Sequence, residues 1–353
     1  MKKRYLGILS SLLLSMALTL TACGGGQQSG QQGGGSGPGQ TSETSANAGS
    51  GTNANTDFRT NLQMGTGSTG GTYYPLGQEI SNVLNKHVKV DGFNSSAVAT
   101  GASIENLAKI GRGELQLGLA THISAWNAVN GKDEFEGMPI TNFGFMGHIY
   151  PDVMQVVTLK SSGINSIADL KGKKVAIGPA GGANQVLSKL ILEAYGIKDG
   201  DYEAFQEGFG DAKGKLQDKQ IDASFNLLGL PASAIEELQA QTNDVKLLPI
   251  DQDALKYIEE HSQYKIMEIP AGTYEWQEGP VSTVSAFAVL VGSTTQISEE
   301  LGYEITKALF EHAGEITHQQ GKNITKENAL LGSDGLPFHP GAEKYFREAG
   351  ILK

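Results

Sequence analysis

The sequence predicts an α/β fold of two lobes, each a mostly parallel sheet flanked by helices, with a ligand cleft between the lobes. Three observations predict it. Strand-like and helix-like stretches alternate along most of the chain. A glycine-rich turn joins a strand to a helix at Met64–Gly71 and again at Ile177–Asn184, more than 100 residues later. The length of 353 residues accommodates two domains of ordinary size, at roughly 100–200 residues each. Two such modules imply two facing α/β units, and in open α/β sheets ligands sit at the carboxyl ends of the strands.

The first 57 residues stand apart. Lys2, Lys3 and Arg4 precede an apolar run from Tyr5 to Leu20, interrupted by Gly7, Ser10, Ser11, Ser15 and Thr19. That is the pattern of a signal peptide, residues 1–22. Leu20-Thr21-Ala22-Cys23 resembles a bacterial lipobox, so Cys23 is the expected lipidation site; an ordinary signal peptide with a chance cysteine is the alternative. Eleven glycines fall between Cys23 and Gly51, and residues 24–57 contain no aromatic residue. Such a stretch cannot bury enough surface to offset its ordering entropy. Residues 23–57 are therefore expected to be a lipid-anchored flexible tether, with a root-mean-square reach of roughly 30 Å.

Leu62–Gly65 reads as a strand. Pro75 suits a first helical turn, and Leu76, Ile80, Val83 and Leu84 form one apolar face behind it. Val88–Phe93 reads as a second strand. Ser103 is a plausible N-cap, with Ile104, Leu107 and Ala108 behind it. Leu115–Thr121, Met154–Lys160 and Lys173–Gly178 are strand-like, the last followed by a helix with Leu187, Leu190, Ile191 and Ala194 at helical spacing. Ala223–Leu228 is a strand, Pro231 opens a helix carrying Ala234, Ile235 and Leu238, and Val245–Ile250 and Lys265–Ile269 are strands. Ala286–Val291 is apolar throughout, as in a strand buried on both faces. A long helix is expected after Ser298, its stripe running through Leu301, Ile305, Leu309 and His312 to Ile316.

The candidate binding residues follow from the turns. Gly65, Gly67 and Gly70 match the dinucleotide fingerprint, but its acid is due about 20 residues on, whereas Asp91 lies 26 after Gly65. No cofactor is expected. The physics of the turn does not need one: exposed amides and a helix start, worth about half a unit of positive charge, suit any small anion. Gly67, Ser68, Thr69, Gly71, Tyr73 and Tyr74 are the candidates there, with Thr72 a further hydroxyl; the alternative is a tight turn and nothing more. Pro179, Gly182, Ala183, Asn184 and Gln185 form the matching set in the second module. Gly101, Ala102 and Ser103 mark a third helix start, which either binds or merely caps. Thr121 and His122 end a strand near the cleft. Asn226 and Gly229 end another, and contact the ligand or satisfy their own turn.

Other chemistry is excluded or unsupported. One cysteine rules out internal disulfides. The net charge is −11, and −14 once the three N-terminal basic residues are set aside, which argues against nucleic acid as a partner. His312, Glu315 and His318 look metal-like, but six residues on a helix separate the two histidines by about 240°. No metal site and no assembled nucleophile is expected, so a binding protein is expected rather than an enzyme; a ligand sensor or surface protein on the same fold, or an enzyme of the two-lobed transferase type, is the alternative.

The residues also resemble a known family. Gly65–Gly77, Thr100–Leu107, Asp169–Gly178, Ile221–Phe225, Ile269–Tyr274 and Leu336–Ala342 follow the order of signatures in the TAXI family, the solute receptors of one branch of TRAP transporters. The resemblance covers about residues 58 to 352. It implies a periplasmic-binding-protein-like fold of type II, with lobe I from residues 58–158 and 283–353, lobe II from residues 159–282, and crossings near Met154–Lys160 and Ser282–Val291. It implies a receptor that closes on a small carboxylate, glutamate or a relative, and delivers it to separate TRAP membrane subunits. Two departures stand out. The second turn reads Gly181-Gly182-Ala183-Asn184 where Ser-Gly is typical, and no arginine clamp is evident, since Arg112 lies away from the turns and Arg59 and Arg347 lie near the ends. The expected location is extracytoplasmic and lipid-anchored, with Gly24 and the long tether favouring a Gram-positive outer face over a periplasm.

Overall fold

A computed structural model describes residues 57–353. The signal segment, Cys23 and all but the last residue of the tether lie outside the described residues. In chain order the elements are β1 (Asn61–Gly65), α1 (Tyr73–His87), β2 (Asn94–Val98), α2 (Ser103–Gly111), β3 (Leu117–Thr121), α3 (His122–Asn130) and β4 (Phe143–Leu159). Then come β5 (Lys174–Ala176), α4 (Ala183–Ala194), β6 (Glu203–Phe205), α5 (Phe209–Gln217), β7 (Ala223–Leu228), α6 (Ser233–Thr242), β8 (Val245–Leu248) and α7 (Gln252–His261). The chain ends with β9 (Lys265–Ile269), β10 (Val281–Ser293), α8 (Glu299–His312) and α9 (Pro340–Glu348). The fold class is α/β, as the alternation predicts.

One mixed sheet runs β2-β1-β3-β10-β4-β7-β5-β6, with β8 added to β4 and β9 to β10. Its outer parts are parallel: β1 with β2 and β3, and β5 with β6 and β7. Its centre is antiparallel, because β4 and β10 are long strands lying side by side in opposite directions. Along this pair the core changes hands. Tyr150 and Ala288 belong to an apolar cluster built on β1, β3, α1 and α8. Met154 and Ala286 belong to another with Val175, Leu187 and Phe225, and Val153 to a third with Leu216, Ile235 and Tyr274.

The helices form where the apolar stripes place them. In α1, Leu76, Ile80, Val83 and Leu84 are buried, with Pro75 in the first turn. In α4, Leu187 and Ile191 are buried. The buried face of α2 is Ser103, Asn106, Leu107 and Ile110, turned from the predicted Ile104–Leu107–Ala108 face because Asn106 is drawn inward by hydrogen bonds.

Three segments differ from expectation. The second strand begins at Asn94, not Val88, because Asp91-Gly92 forms a turn with Gly92 at φ +72°. The crossing strand expected from Met154 begins eleven residues earlier, at Phe143. Gly144, Gly147 and Pro151 read as breakers, yet the ladder to β10 absorbs them with two register shifts. The last long helix stops at His312, and Ala313–Glu315 forms a separate 3-10 turn, so His318 shares no helix with His312. Among the described residues no helix is long and apolar enough to cross a membrane.

Candidate functional site

A cleft with about 540 Å³ of empty space, its mouth included, opens at the carboxyl ends of the strands. Its wall is made of helix beginnings. Thr72-Tyr73 opens α1, Ala102-Ser103 opens α2, Thr121 caps α3, Gly182-Ala183-Asn184 opens α4 and Gly208-Phe209 opens α5. Each helix start leaves amides without intrahelical partners and carries partial positive charge, so five of them aimed at one space create a site for an anion. Ala102 has φ +79°, a conformation an alanine adopts only under constraint, and it turns the chain into α2 at the cleft wall.

The two sides of the cleft touch. The amide of Gly229 donates to Oγ1 of Thr72 at 3.1 Å. The amides of Ile104 and Glu105 both donate to the Gly181 carbonyl, at 3.1 and 3.0 Å. Gln320 Nε2 donates to the Leu230 carbonyl at 2.9 Å. Gly70 lies so near Gly210 that a Cβ on it would stand 2.2 Å from the Gly210 Cα, so only glycine fits there.

The structure brings together on the cleft wall Gly67, Ser68, Gly71, Tyr73, Ala102, Ser103, Thr121, Pro179, Gly182, Ala183, Asn184 and Asn226. Proximity does not leave every polar group free. Asn184 Nδ2 donates to the Phe225 carbonyl at 2.8 Å while its Oδ1 accepts from the Leu227 amide at 2.8 Å. Asn226 is engaged with Ser224 and the Gln155 carbonyl. Both amides tie strand ends together. Thr121 Oγ1 accepts from the Ser124 amide and caps α3.

Six candidates stand elsewhere. Thr69 lines a separate surface groove with Lys213 and Glu237. Tyr74 lies off the cleft wall and accepts from Gln78 through its hydroxyl. The Gly101 amide is already taken by Glu105 Oε2 at 2.6 Å. His122 Nδ1 accepts the Phe287 amide at 3.0 Å, so the ring braces α3 against β10; burial holds its pKa down at about 4 and the ring neutral. Gln185 lies within the first turn of α4 but off the cleft wall, its backbone amide bonded to the Gly182 carbonyl at 3.1 Å. Gly229 serves the bridge to Thr72.

The sequence did not reveal Tyr150, Asp152, Gly208, Phe209, Leu227 and Leu228, all on the cleft wall. Asp152 is the chief omission. It is 2 % exposed, and its hydrogen bonding is limited to a 3.4 Å contact from the Tyr150 hydroxyl to Oδ1. Burial raises its pKa to about 7, against the pull of the Tyr73 and Tyr150 hydroxyls. The Tyr73 ring meets Tyr150 edge-on, centroids 6.0 Å apart, and its buried hydroxyl has no partner. No Lys, Arg or His lines the cleft.

The residues do not fit a dinucleotide. The glycine fingerprint does join β1 to α1, but Asp91 lies before β2 rather than at its carboxyl end, where a ribose-binding acid would stand. A possible metal group, His87, His312 and Glu315, lies on the surface with ligand atoms within 4.8 Å of one another. There Glu315 is engaged by Lys86 at 2.7 Å and His87 at 2.8 Å, and the two imidazoles stack face to face rather than converging on a point.

The chain belongs to the NMT1-like family, which matches residues 64–350. A curated relative, the 4-amino-5-hydroxymethyl-2-methylpyrimidine phosphate synthase of Schizosaccharomyces pombe, is 27% identical over 148 residues, 41% of this chain and 40% of that protein. The match thus spans about two-fifths of the relative's length. Solved structures with a similar fold include PhnD1 from Prochlorococcus marinus in complex with methylphosphonate (TM-score 0.49, 12% identity, 83% of this chain and 99% of that one). The alkanesulfonate-binding protein SsuA from Xanthomonas axonopodis pv. citri is a second (TM-score 0.44, 16% identity, 84% and 81%). A binding protein component of an ABC phosphonate transporter from Pseudomonas aeruginosa is a third (TM-score 0.49, 10% identity, 75% and 77%).

Proposed function

We propose that the chain is an extracytoplasmic solute receptor that captures a small carboxylate, a glutamate-like amino acid or a dicarboxylate, and hands it to the membrane subunits of a TRAP transporter. The observation that carries this reading is the convergence of five helix starts on one cleft without a single cationic side chain. Backbone amides at Ser68, Ser103 and Ala183 hold the carboxylate, those of Gly71 and Gly182 being bonded to the Ser68 and Pro179 carbonyls, and Tyr73 packs against its body. Residues 58–158 with 283–353 act as one lobe and residues 159–282 as the other, hinging where β4 and β10 pass between the cores. Cys23 carries the lipid anchor and residues 24–57 the tether, so the receptor works at a membrane surface. A ligand sensor on the same fold would use the same cleft.

A screen of melting temperature against amino acids, dicarboxylates and keto acids tests the capture. At 100 times Kd the bound solute adds about 2.7 kcal/mol of stability. Silence from every carboxylate sinks the reading. Delivery is tested by reconstituting uptake with candidate TRAP membrane subunits, where uptake independent of the receptor counts against it.

The synthase relative favours a second reading, an enzyme on this fold. Against it, Asp152 is the one carboxyl on the cleft wall, which carries no amine, guanidinium, imidazole or thiol to pair with it. Turnover of a bound solute by purified protein would establish the enzyme reading.

A further inference from the structure

Asp152 and Tyr73 share one wall of the cleft and lack what each requires. A buried carboxylate needs short hydrogen bonds or a counter-charge, and Asp152 has one contact at 3.4 Å, with none to Oδ2 among the described residues. The Tyr73 hydroxyl is buried, faces the same space and has no partner within hydrogen-bond distance, although it lies near enough to Asp152 to influence that carboxyl. Two undersatisfied groups side by side, one an acid, describe the seat of a donor-rich cation.

Resting on the receptor reading above but replacing its glutamate-like or dicarboxylate solute, we propose that the captured solute carries an ammonium group, seated between Asp152 and Tyr73, and has no net charge: it is an amino acid with an uncharged side chain. An ammonium offers three donors, and Asp152 and the Tyr73 oxygen are acceptors for them. The helix starts supply partial positive charge for one carboxylate. A second carboxylate would find no Lys or Arg and would share a dry space with Asp152, a like-charge arrangement in which one of the acids must take up a proton. Phe209, Leu227 and Leu228 give the rest of the wall an apolar character that suits an uncharged side chain. The titratable groups around Asp152 are Tyr73 from α1, Tyr150 from β4 and Tyr264 ahead of β9, all kept neutral by burial.

The test uses the uncharged L-amino acids, L-glutamate and glutarate, with the desamino acid and the decarboxylated amine of the best binder, followed by calorimetry. An uncharged amino acid should bind best, and its desamino analogue at least about 30-fold more weakly. Asp152→Asn should lose a similar factor while the empty protein melts no lower, and Tyr73→Phe should lose about 3- to 10-fold. Calorimetry at pH 6 in buffers of different ionisation enthalpy should show proton release on binding, since the ammonium drives Asp152 to its ionised form; a merely structural aspartate would release none. Tighter binding of glutarate or glutamate, equal affinity of the desamino acid, or unchanged affinity in Asp152→Asn overturns the inference and leaves the receptor reading standing. If the decarboxylated amine binds as tightly as the amino acid, the carboxylate reading fails and the ammonium seat survives. If nothing in the panel binds, both fall.

Discussion

The amide of Gly229 donates to Oγ1 of Thr72 across 3.1 Å, between residues 157 positions apart. Thr72 sits at the N-cap of α1 yet makes no side-chain cap to its own helix, because its hydroxyl is turned to the opposite side of the cleft. The bond therefore exists when the cleft is shut. Thr72→Val keeps the shape, removes the acceptor and leaves the Gly229 amide unpaired, at a cost of about 1–3 kcal/mol to the shut form. Solute should leave roughly 5- to 160-fold faster by stopped flow. An unaltered dissociation rate would show that this bond does not hold the cleft.

Gly70 and Gly210 meet backbone to backbone, with a Cβ on Gly70 standing 2.2 Å from the Gly210 Cα and 2.4 Å from its nitrogen. Neither side can yield as a flexible side chain would. Gly70→Val should therefore keep the fold, with unfolding free energy within about 1 kcal/mol of the parent, and abolish solute binding. Small-angle scattering should show no compaction with solute. Binding at parental affinity would mean that the shut arrangement is not the one that holds solute.

Asn106 is fully buried, donates to the carbonyls of Thr66 and Leu119 at 2.8 Å each, and accepts from Thr100 Oγ1 at 2.7 Å. It joins the ends of β1 and β3 to the turn before α2. Asn106→Ala takes the side-chain donor from two buried carbonyls, those of Thr66 and Leu119, and urea unfolding should register a loss of about 2–4 kcal/mol. A loss below about 1 kcal/mol would mean water replaces the amide.

Two buried groups give stability opposite slopes with pH. His148 has no partner for either ring nitrogen, and burial lowers its pKa to about 4. The folded form then binds fewer protons than the unfolded chain between about pH 4 and 6.5, so stability is lost as pH falls through that window. Asp152, raised to about 7, acts the other way: its favourable contribution is full below about pH 4 and is lost as pH rises through 7. His148→Leu should raise melting more at pH 5 than at pH 7.5, and Asp152→Asn more at pH 7.5 than at pH 5. The reverse ordering in either variant would refute its assignment.

How much of this was legible depended on how local each signal is. The entry to α1 carries its own evidence in Pro75 and the stripe from Leu76 to Leu84, and the turn residues Gly67, Ser68, Gly71 and Gly182–Asn184 lie on the cleft wall. Phe143–Val153 was not legible, because Gly144, Gly147 and Pro151 are tolerated only through pairing with β10, more than 130 residues away. Asp152 was lost with it, one acid in a stretch that local pattern could not assign. Gly208-Phe209 follows a strand of three residues, too short for periodicity to mark. The sequence leaves Asn226 open between contacting a ligand and satisfying its own turn, and offers Asn184 as a ligand contact; the structure engages both in bonds within the protein. Asn184 is bonded to β7, 41 and 43 residues on, and Asn226 to Gln155 of β4 as well as to nearby Ser224, so the distant partners are chosen by the assembled sheet.

Asp152 pairs with Ala286 at the level where both long strands leave one apolar cluster for the next. In the proposed receptor, the side chain that would answer to a solute's charge is thus mounted on the backbone proposed to hinge. Altering that residue to accept different cargo alters the mechanics in the same step. Changes of preference through Phe209, Leu227 or Leu228 carry no such penalty, and diversification within this architecture has its easier route there.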